Sequence, residues 1–130
     1  MPHFIVEYTD NLRADADISG LLRKVNAVLM AQGGVFPTGA IRSRAICLTD
    51  YFVADGTVDD AFVHATLKIG AGRDPAATKK ACDELFAMIR DHFAGLYARR
   101  SLALSMELYE FDEGGTYKHN NIHARYRKPT

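Results

Sequence analysis

A strand-helix-strand pattern occurs twice along the chain, and this repetition restricts the fold more than any other feature of the sequence. The runs HFIVEY (3–8) and AIRSRAICL (40–48) are typical of strands, and an apolar pattern with helical spacing separates them. The runs AFVHATLKI (61–69) and SLALSMELYEF (101–111) flank a second helical pattern in the same way. Each unit is therefore expected to form two parallel strands joined by a right-handed crossover helix.

Both predicted helices have a recognisable start. Asp15 or Asp17 can cap the first helix, because the carboxylate of aspartate accepts a hydrogen bond from a free N–H of the first turn. The second helix begins at Asp74-Pro75, where proline suits the first helical position. Its apolar stripe extends to Leu96, which predicts one continuous helix.

The two units combine into one α+β domain over residues 1–130. Asp55-Gly56 lies between them and is a hairpin-type turn signal, so we expect a hairpin to join the units. The prediction is a double β-α-β repeat, with a four-stranded sheet and two helices on one face. Such a sheet leaves its other face uncovered, and oligomerisation would bury it. The chain has 130 residues, of which 48% are hydrophobic, and this suits a single core.

Composition excludes several classes of function. The formal net charge is zero, which argues against a general nucleic-acid or membrane-surface binder. No apolar stretch is long enough to span a bilayer and no charged-then-apolar leader is visible, so we expect a cytoplasmic protein.

The cysteines and the paired histidines do not indicate a metal site or a disulfide framework. Cys47 and Cys82 lie in apolar segments and are predicted to be buried free thiols. The run HNNIH (119–123) offers two histidines only, and a zinc site usually needs three or four ligands.

Arginines mark two positions where an anion could bind. Arg42 and Arg44 lie two residues apart in a predicted strand and therefore share a face. They are either solvated or salt-bridged edge charges, or a clamp that binds a carboxylate. Arg73 ends the turn GAGR (70–73) at the start of a helix, where free N–H groups favour an anion. By itself this turn is better explained as an ordinary reversal of the chain.

The amino end poses the sharpest question. Pro2 follows Met1 and immediately precedes a strand. Proline has no N–H to donate to a sheet, so Pro2 can simply mark the start of the strand. If Met1 is removed, however, Pro2 carries a free secondary amine, which is both a base and a nucleophile. The residues alone favour the first interpretation.

The chain resembles a known family over essentially its whole length. The segments PHFIVEY, FPTGAIRSRA, ADGTVDDAFVHATLKIGAGR and NNIHA are similar to those of the 5-carboxymethyl-2-hydroxymuconate isomerases, which belong to the tautomerase superfamily. This resemblance implies a double β-α-β fold and a homotrimer whose sheets face inward. It also implies an active site near a subunit boundary. Independently of the resemblance, we expect the irregular C-terminal tail (112–130) to wrap an adjacent subunit.

The resemblance implies roles for individual residues. Pro2, freed by removal of Met1, would be the catalytic base and acid, and Arg42 and Arg73 would be the catalytic arginines. Arg44 shares a face with Arg42 and could share its role in binding substrate. Phe36 could wall the substrate site, although core packing explains it equally well.

The implied reaction moves a proton along a conjugated dienol. It turns a 2-hydroxymuconate-type tricarboxylate into its unsaturated 2-oxo isomer during homoprotocatechuate catabolism, with no metal or organic cofactor. Two alternatives stay open at this point. One is another superfamily activity on an unsaturated acid, such as hydration or dehalogenation. The other is a module that binds small acids without turnover.

Overall fold

Four strands form a single mixed sheet in the computed structural model, which describes residues 1–127. The strand order is β2-β1-β3-β4, with β1 parallel to β2, antiparallel to β3, and β3 parallel to β4. The predicted parallel pairing within each unit is therefore confirmed. The strands are β1 (His3–Thr9), β2 (Arg42–Leu48), β3 (Ala61–Gly70) and β4 (Leu102–Phe111).

The helices begin where the sequence predicts but divide differently. Helix α1 is Ile18–Met30, α2 is Pro75–His92 and α3 is Ala94–Arg99. Asp17 caps α1 by accepting from the Gly20 amide, and Asp74 caps α2 by accepting from the Ala76 amide. The expectation of one continuous second helix was wrong. The chain leaves helical geometry at Phe93, whose ψ of 8° ends α2 while its side chain is fully buried.

The expected hairpin between the two units was also wrong. Strands β2 and β3 are not neighbours, because β1 lies between them. The Asp55-Gly56 turn does form, and the Gly56 amide donates to the Val53 carbonyl at 2.9 Å. A turn signal specifies a local reversal only. Which strands pair depends on the hydrophobic pattern. On its core face β1 carries Phe4, Val6 and Tyr8, whereas the paired positions of β2 carry the smaller residues Ser43, Ala45 and Cys47, which suits β1 to the inner position.

One face of the sheet packs against the helices and forms the core. Alternate residues of the two inner strands point into it and are almost fully buried. They are Phe4, Val6 and Tyr8 on β1 and Ala61, Val63, Ala65, Leu67 and Ile69 on β3. The helices contribute residues at helical spacing, namely Leu21, Val25 and Leu29 on α1 and Ala81, Leu85 and Ile89 on α2. The fold class predicted from the sequence is thus confirmed, with a third, short helix added.

The opposite face of the sheet carries half-buried and exposed side chains. On β1, His3, Ile5 and Glu7 are half-buried, and on β2, Arg44 and Ile46 are exposed. This mixture of apolar and charged groups matches the uncovered face that the sequence predicts. Cys47 and Cys82 are free thiols and only partly buried. None of the helices within residues 1–127 combines the length and the apolar character that crossing a bilayer requires.

Substituting one buried valine tests this core against a matched control. Val63→Ala on β3 removes two buried carbons from a fully buried site and is expected to lower the free energy of unfolding by roughly 2 kcal/mol. Val58→Ala makes the same chemical change at a residue that is 61% exposed, so it should cost less than about 0.5 kcal/mol. Denaturant unfolding at one fixed protein concentration measures both. Equal losses would contradict the assigned core.

Candidate active site

The amino end of β1 is held inside the fold. Pro2 is buried, and its carbonyl accepts a hydrogen bond of 3.0 Å from the Arg42 amide. In the parallel ladder His3 lies opposite Arg42, and in the antiparallel ladder it lies opposite Lys68. Because β1 has a neighbour on each side, the start of the chain has a fixed position between the start of β2 and the end of β3.

The guanidinium of Arg42 is held by two backbone carbonyls through one of its three nitrogens. Its Nη1 donates to the carbonyls of Gly39 at 2.9 Å and Ile41 at 3.1 Å. The residue is half-buried. Within residues 1–127 these contacts engage only Nη1, so Nε and Nη2 are left to bind an anion. The backbone of Arg42 therefore contacts Pro2, while its guanidinium is held by the loop that precedes β2.

Arg73 reaches the same end from the turn after β3. Its Nη1 donates to the Gly70 carbonyl at 2.9 Å, and its Nε donates to the Val35 carbonyl at 3.3 Å. Gly72 has a φ of +104°, a conformation that favours glycine and lets the turn close. The guanidinium carbon lies 5.0 Å from the centre of the Phe36 ring, a cation–π contact.

Phe36 and Arg44 have environments that differ from those of the two site arginines. Phe36 is only 2% exposed and supports Arg73 from the core side. Its use as a wall of the substrate site stays a prediction. Arg44 is exposed and lies farther along β2, where its Nη1 is 3.2 Å from Nδ1 of His3. Its share in substrate binding likewise stays a prediction.

The C-terminal segment adds polar groups that the sequence reasoning missed. Nδ2 of Asn120 donates to the Gly39 carbonyl at 2.9 Å, the same oxygen that holds Arg42. A Cβ on Gly39 would lie 2.9 Å from the Cα of His123, so only glycine admits the tail here. The NNIHA motif contains both Asn120 and His123 and was the available signal, but nothing in its spacing indicates where the tail lies.

The described part of the tail contacts its own subunit. The Phe111 carbonyl accepts from the Ala71 amide at 2.8 Å, just before the segment begins. Glu113 then lies over Gly70, and Asn120 reaches Gly39. The predicted contact of residues 112–130 with an adjacent subunit stays a prediction, and residues 128–130 lie outside the described residues.

Charge around the amino end favours a neutral amine. The pKa of the Met1 amino group is lowered, first by burial and then by the cations Lys118 and Arg73, while Glu113 acts in the opposite direction. The pKa of His3 is lowered too, by burial and then by Arg44 and the other nearby cations. A base placed here is neutral over a wider pH range than a solvated terminal amine.

This arrangement suits proton transfer to and from an organic anion. Two guanidiniums can bind carboxylates or a developing oxyanion, and a neutral amine at the same place can accept a proton. Over residues 1–127, no three His, Cys, Asp or Glu side chains cluster in a way that could hold a metal ion.

Comparison with known proteins agrees with this chemistry. The family model described as 5-carboxymethyl-2-hydroxymuconate isomerase matches residues 2–126. The 5-carboxymethyl-2-hydroxymuconate Delta-isomerase of Escherichia coli is 48% identical over 127 residues, covering 98% of this chain and 100% of the relative. A crystal structure of a 5-carboxymethyl-2-hydroxymuconate isomerase from Deinococcus radiodurans R1 is 53% identical, with a TM-score of 0.94 over 98% of this chain and 95% of that one. Another structure, of a 5-carboxymethyl-2-hydroxymuconate delta-isomerase, is 27% identical with a TM-score of 0.91, over 100% and 95% of the two chains.

More distant structures share the fold alone. A fused 4-OT, described as a symmetric trimer, is 16% identical with a TM-score of 0.59, over 88% of this chain and 91% of that one. Such neighbours belong to the tautomerase superfamily, which confirms the predicted tautomerase-like architecture.

The tight contact at Gly39 gives a direct test of how the tail is held. Gly39→Ala places a methyl group against the backbone of His123, and overpacking of this kind is expected to release the tail. Hydrogen exchange of the Ile122 and Ala124 amides should become roughly 10-fold faster while β1 and β3 stay protected. The measurement is hydrogen exchange with mass spectrometry. Gly95→Ala is the matched control, since its Cβ meets nothing within 4 Å, and unchanged exchange in Gly39→Ala would contradict the assigned packing.

Proposed function

The chain belongs to the 5-carboxymethyl-2-hydroxymuconate isomerase family, and we propose that it isomerises 5-carboxymethyl-2-hydroxymuconate with the amino group of Pro2 as base and acid. The names of its relatives support an isomerase. Two observations support the proposal for the site: the Arg42 amide holds the Pro2 carbonyl, and the charge of Arg73 acts on the amine at the same chain end.

The proposed reaction moves one proton and shifts two double bonds. The neutral nitrogen of Pro2, exposed by removal of Met1, takes the proton of the 2-hydroxyl group. The electron pair of that O–H bond forms the 2-oxo group, and the two carbon–carbon double bonds become one, displaced along the chain. The prolinium then returns the proton to the carbon at the far end of the conjugated system. Proton transfer by a positioned group is typically worth about 10²–10⁴ in rate.

The arginines have complementary roles in this mechanism. Arg42 keeps Nε and Nη2 for the substrate because its contacts engage Nη1. Arg73 is fixed by two carbonyls and by the Phe36 ring, so its charge has a defined position. We assign them to the substrate carboxylates and to the oxyanion that forms at the 2-position. Donors held in place before the reaction stabilise such an oxyanion without reorganising.

Burial and two cations, Lys118 and Arg73, keep the base neutral. Burial, Lys118 and Arg73 lower the pKa of the amine at the chain end, and the Pro2 amine would occupy nearly the same place after Met1 is removed. A terminal amine with its ordinary pKa of about 8 is largely protonated at neutral pH and cannot act as a base. A lowered pKa therefore supplies the active form at neutral pH.

We further propose that the enzyme is a homotrimer acting on a small polycarboxylate in homoprotocatechuate catabolism in the cytoplasm. One neighbour that shares the fold is described as a symmetric trimer. The uncovered sheet face, with Ile46 exposed on it, is the surface that assembly would bury. Sedimentation or light scattering measures the mass directly, and a monomer would refute the trimer.

Replacing Pro2 tests the base. Pro2→Ala is expected to lower kcat by at least about 100-fold, because the rigid secondary amine is lost. Protein that retains Met1 should be inactive, since the Pro2 nitrogen is then an amide. Loss of the dienol absorbance measures turnover, with the N-terminus confirmed by mass spectrometry. Pro75→Ala, at the start of α2, is the control and should retain activity; an unchanged rate in Pro2→Ala would remove Pro2 from the mechanism.

The pH profile tests the field of Arg73. Only the neutral amine accepts a proton, so kcat/KM should fall as the pH drops through the pKa of Pro2. Arg73 lowers the pKa of the amine at this place, and Arg73→Gln should therefore move the acid limb of the profile to higher pH. Arg99→Gln removes an exposed surface arginine and should leave the limb in place. A shift to lower pH in Arg73→Gln would contradict the proposed electrostatics.

A further inference from the structure

An ion pair on the tail lies next to Arg73, which with Arg42 forms the arginine site. Lys118 Nζ is 3.2 Å from Glu113 Oε2. The carboxylate of Glu113 lies over Gly70 so closely that a Cβ on that glycine would overlap it. The carbonyl of the same Gly70 holds Arg73 Nη1 at 2.9 Å. A carboxylate of the protein thus lies between Lys118 and the part of the backbone that fixes Arg73.

We infer that Lys118 is the third carboxylate-binding cation of the site, and that Glu113 occupies it until a carboxylate of the substrate takes its place. This inference deepens the proposed function and rests on it. The ligand of this class is a tricarboxylate, and Lys118 makes the enzyme prefer substrates with three carboxylates to substrates with two.

Exposure of the pair makes exchange feasible. The side chains of Lys118 and Glu113 are 41% and 50% exposed. Ion pairs this accessible to water contribute little to stability, about 0–1 kcal/mol, so a carboxylate delivered by the substrate competes on equal terms with Glu113. Lysine suits the role because its ammonium is a point charge with three donors on a flexible stem.

The pair is not needed to hold the tail in place. Asn120 anchors the segment to Gly39, and its Oδ1 accepts from the Ile122 amide at 2.7 Å. Asp112 caps the turn that begins the segment by accepting from the Gly114 amide at 3.1 Å. With these contacts on both sides, the backbone at Lys118 keeps its position even without the bond between Lys118 and Glu113.

Electrostatics agrees with the placement. Lys118 and Arg73 both lower the pKa of the Met1 amine, and Glu113 raises it. Lys118 therefore acts on the place where Pro2 would work. Two arginines account for two carboxylates of a tricarboxylate substrate, and Lys118 supplies a cation for the third.

Kinetics on two substrates tests the inference. Lys118→Met keeps most of the side chain's length and removes its charge. At a pH above the acid limb of both proteins, where the base is neutral in each, KM for 5-carboxymethyl-2-hydroxymuconate should rise roughly 3- to 10-fold. There kcat should change less than about 2-fold, as expected for one lost charge-assisted contact at a half-exposed site. For 2-hydroxymuconate, which has two carboxylates, KM should not change. Lys79→Met is the matched control, since Lys79 pairs with Asp83 on the exposed surface of α2.

Glu113→Gln is expected to change KM for the tricarboxylate in the opposite direction. This substitution frees Lys118 while keeping the shape of the side chain, so KM for the tricarboxylate should fall and KM for the dicarboxylate should stay the same. A purely structural pair predicts instead that both variants impair both substrates alike. That result, or an unchanged KM for the tricarboxylate in Lys118→Met, overturns the inference.

A binding measurement separates this inference from the proposed reaction. Calorimetric titration with tricarballylate and with glutarate, which are saturated and not turned over, reports the tricarboxylate preference alone. Lys118→Met should weaken tricarballylate roughly 3- to 10-fold and leave glutarate unchanged. If native protein with a confirmed proline terminus shows no isomerisation, the proposed function fails, and this titration still decides the role of Lys118. Equal weakening of both acids overturns it.

Discussion

The position of the first strand determines what the rest of the molecule can do. β1 lies inside the sheet and pairs with β2 on one side and β3 on the other. Chain starts usually lie at the periphery and are loosely held. Here the Arg42 amide fixes the Pro2 carbonyl, and the register of both ladders is set by buried alternate residues. The amino end thereby acquires the positional accuracy that a catalytic group needs.

Two glycines admit the tail to this end of the sheet. Gly39 leaves room for the backbone of His123, and Gly70 leaves room for the carboxylate of Glu113. The carbonyls of the same two residues hold Arg42 and Arg73. The backbone carbonyl of each glycine therefore positions an arginine. The missing side chain of each glycine leaves the space that the tail occupies. The arginine site and the tail are coupled through these two positions.

The sequence predicted those features of the fold that depend on residues close together along the chain. Alternation and helical spacing predicted every strand and both parallel units. Residue type predicted the cap at Asp74 and narrowed the other cap to Asp15 or Asp17, because each cap depends on neighbours within a few residues. The hairpin prediction failed because Asp55-Gly56 fixes a turn without fixing which strands pair. The break at Phe93 was missed because the apolar stripe continues through it and only burial of the ring reveals the interruption.

The site was predictable to the extent that the resemblance to a family supplied it. Spacing alone gave Arg42 and Arg44 one role, yet Arg42 lies at Pro2 while Arg44 lies against His3. Lys118 and Asn120 were out of reach, because their positions depend on where an irregular segment lies on the folded sheet. A segment without periodicity has no local rule from which that position follows.

A buried chain start has a practical consequence for handling the protein. Residues added ahead of Pro2, including an affinity tag, would extend from a place where burial and the charges of Lys118 and Arg73 act on the amine. They would also convert the terminal amine into an amide and so remove the base that we propose. Purification handles therefore belong at the other end of the chain.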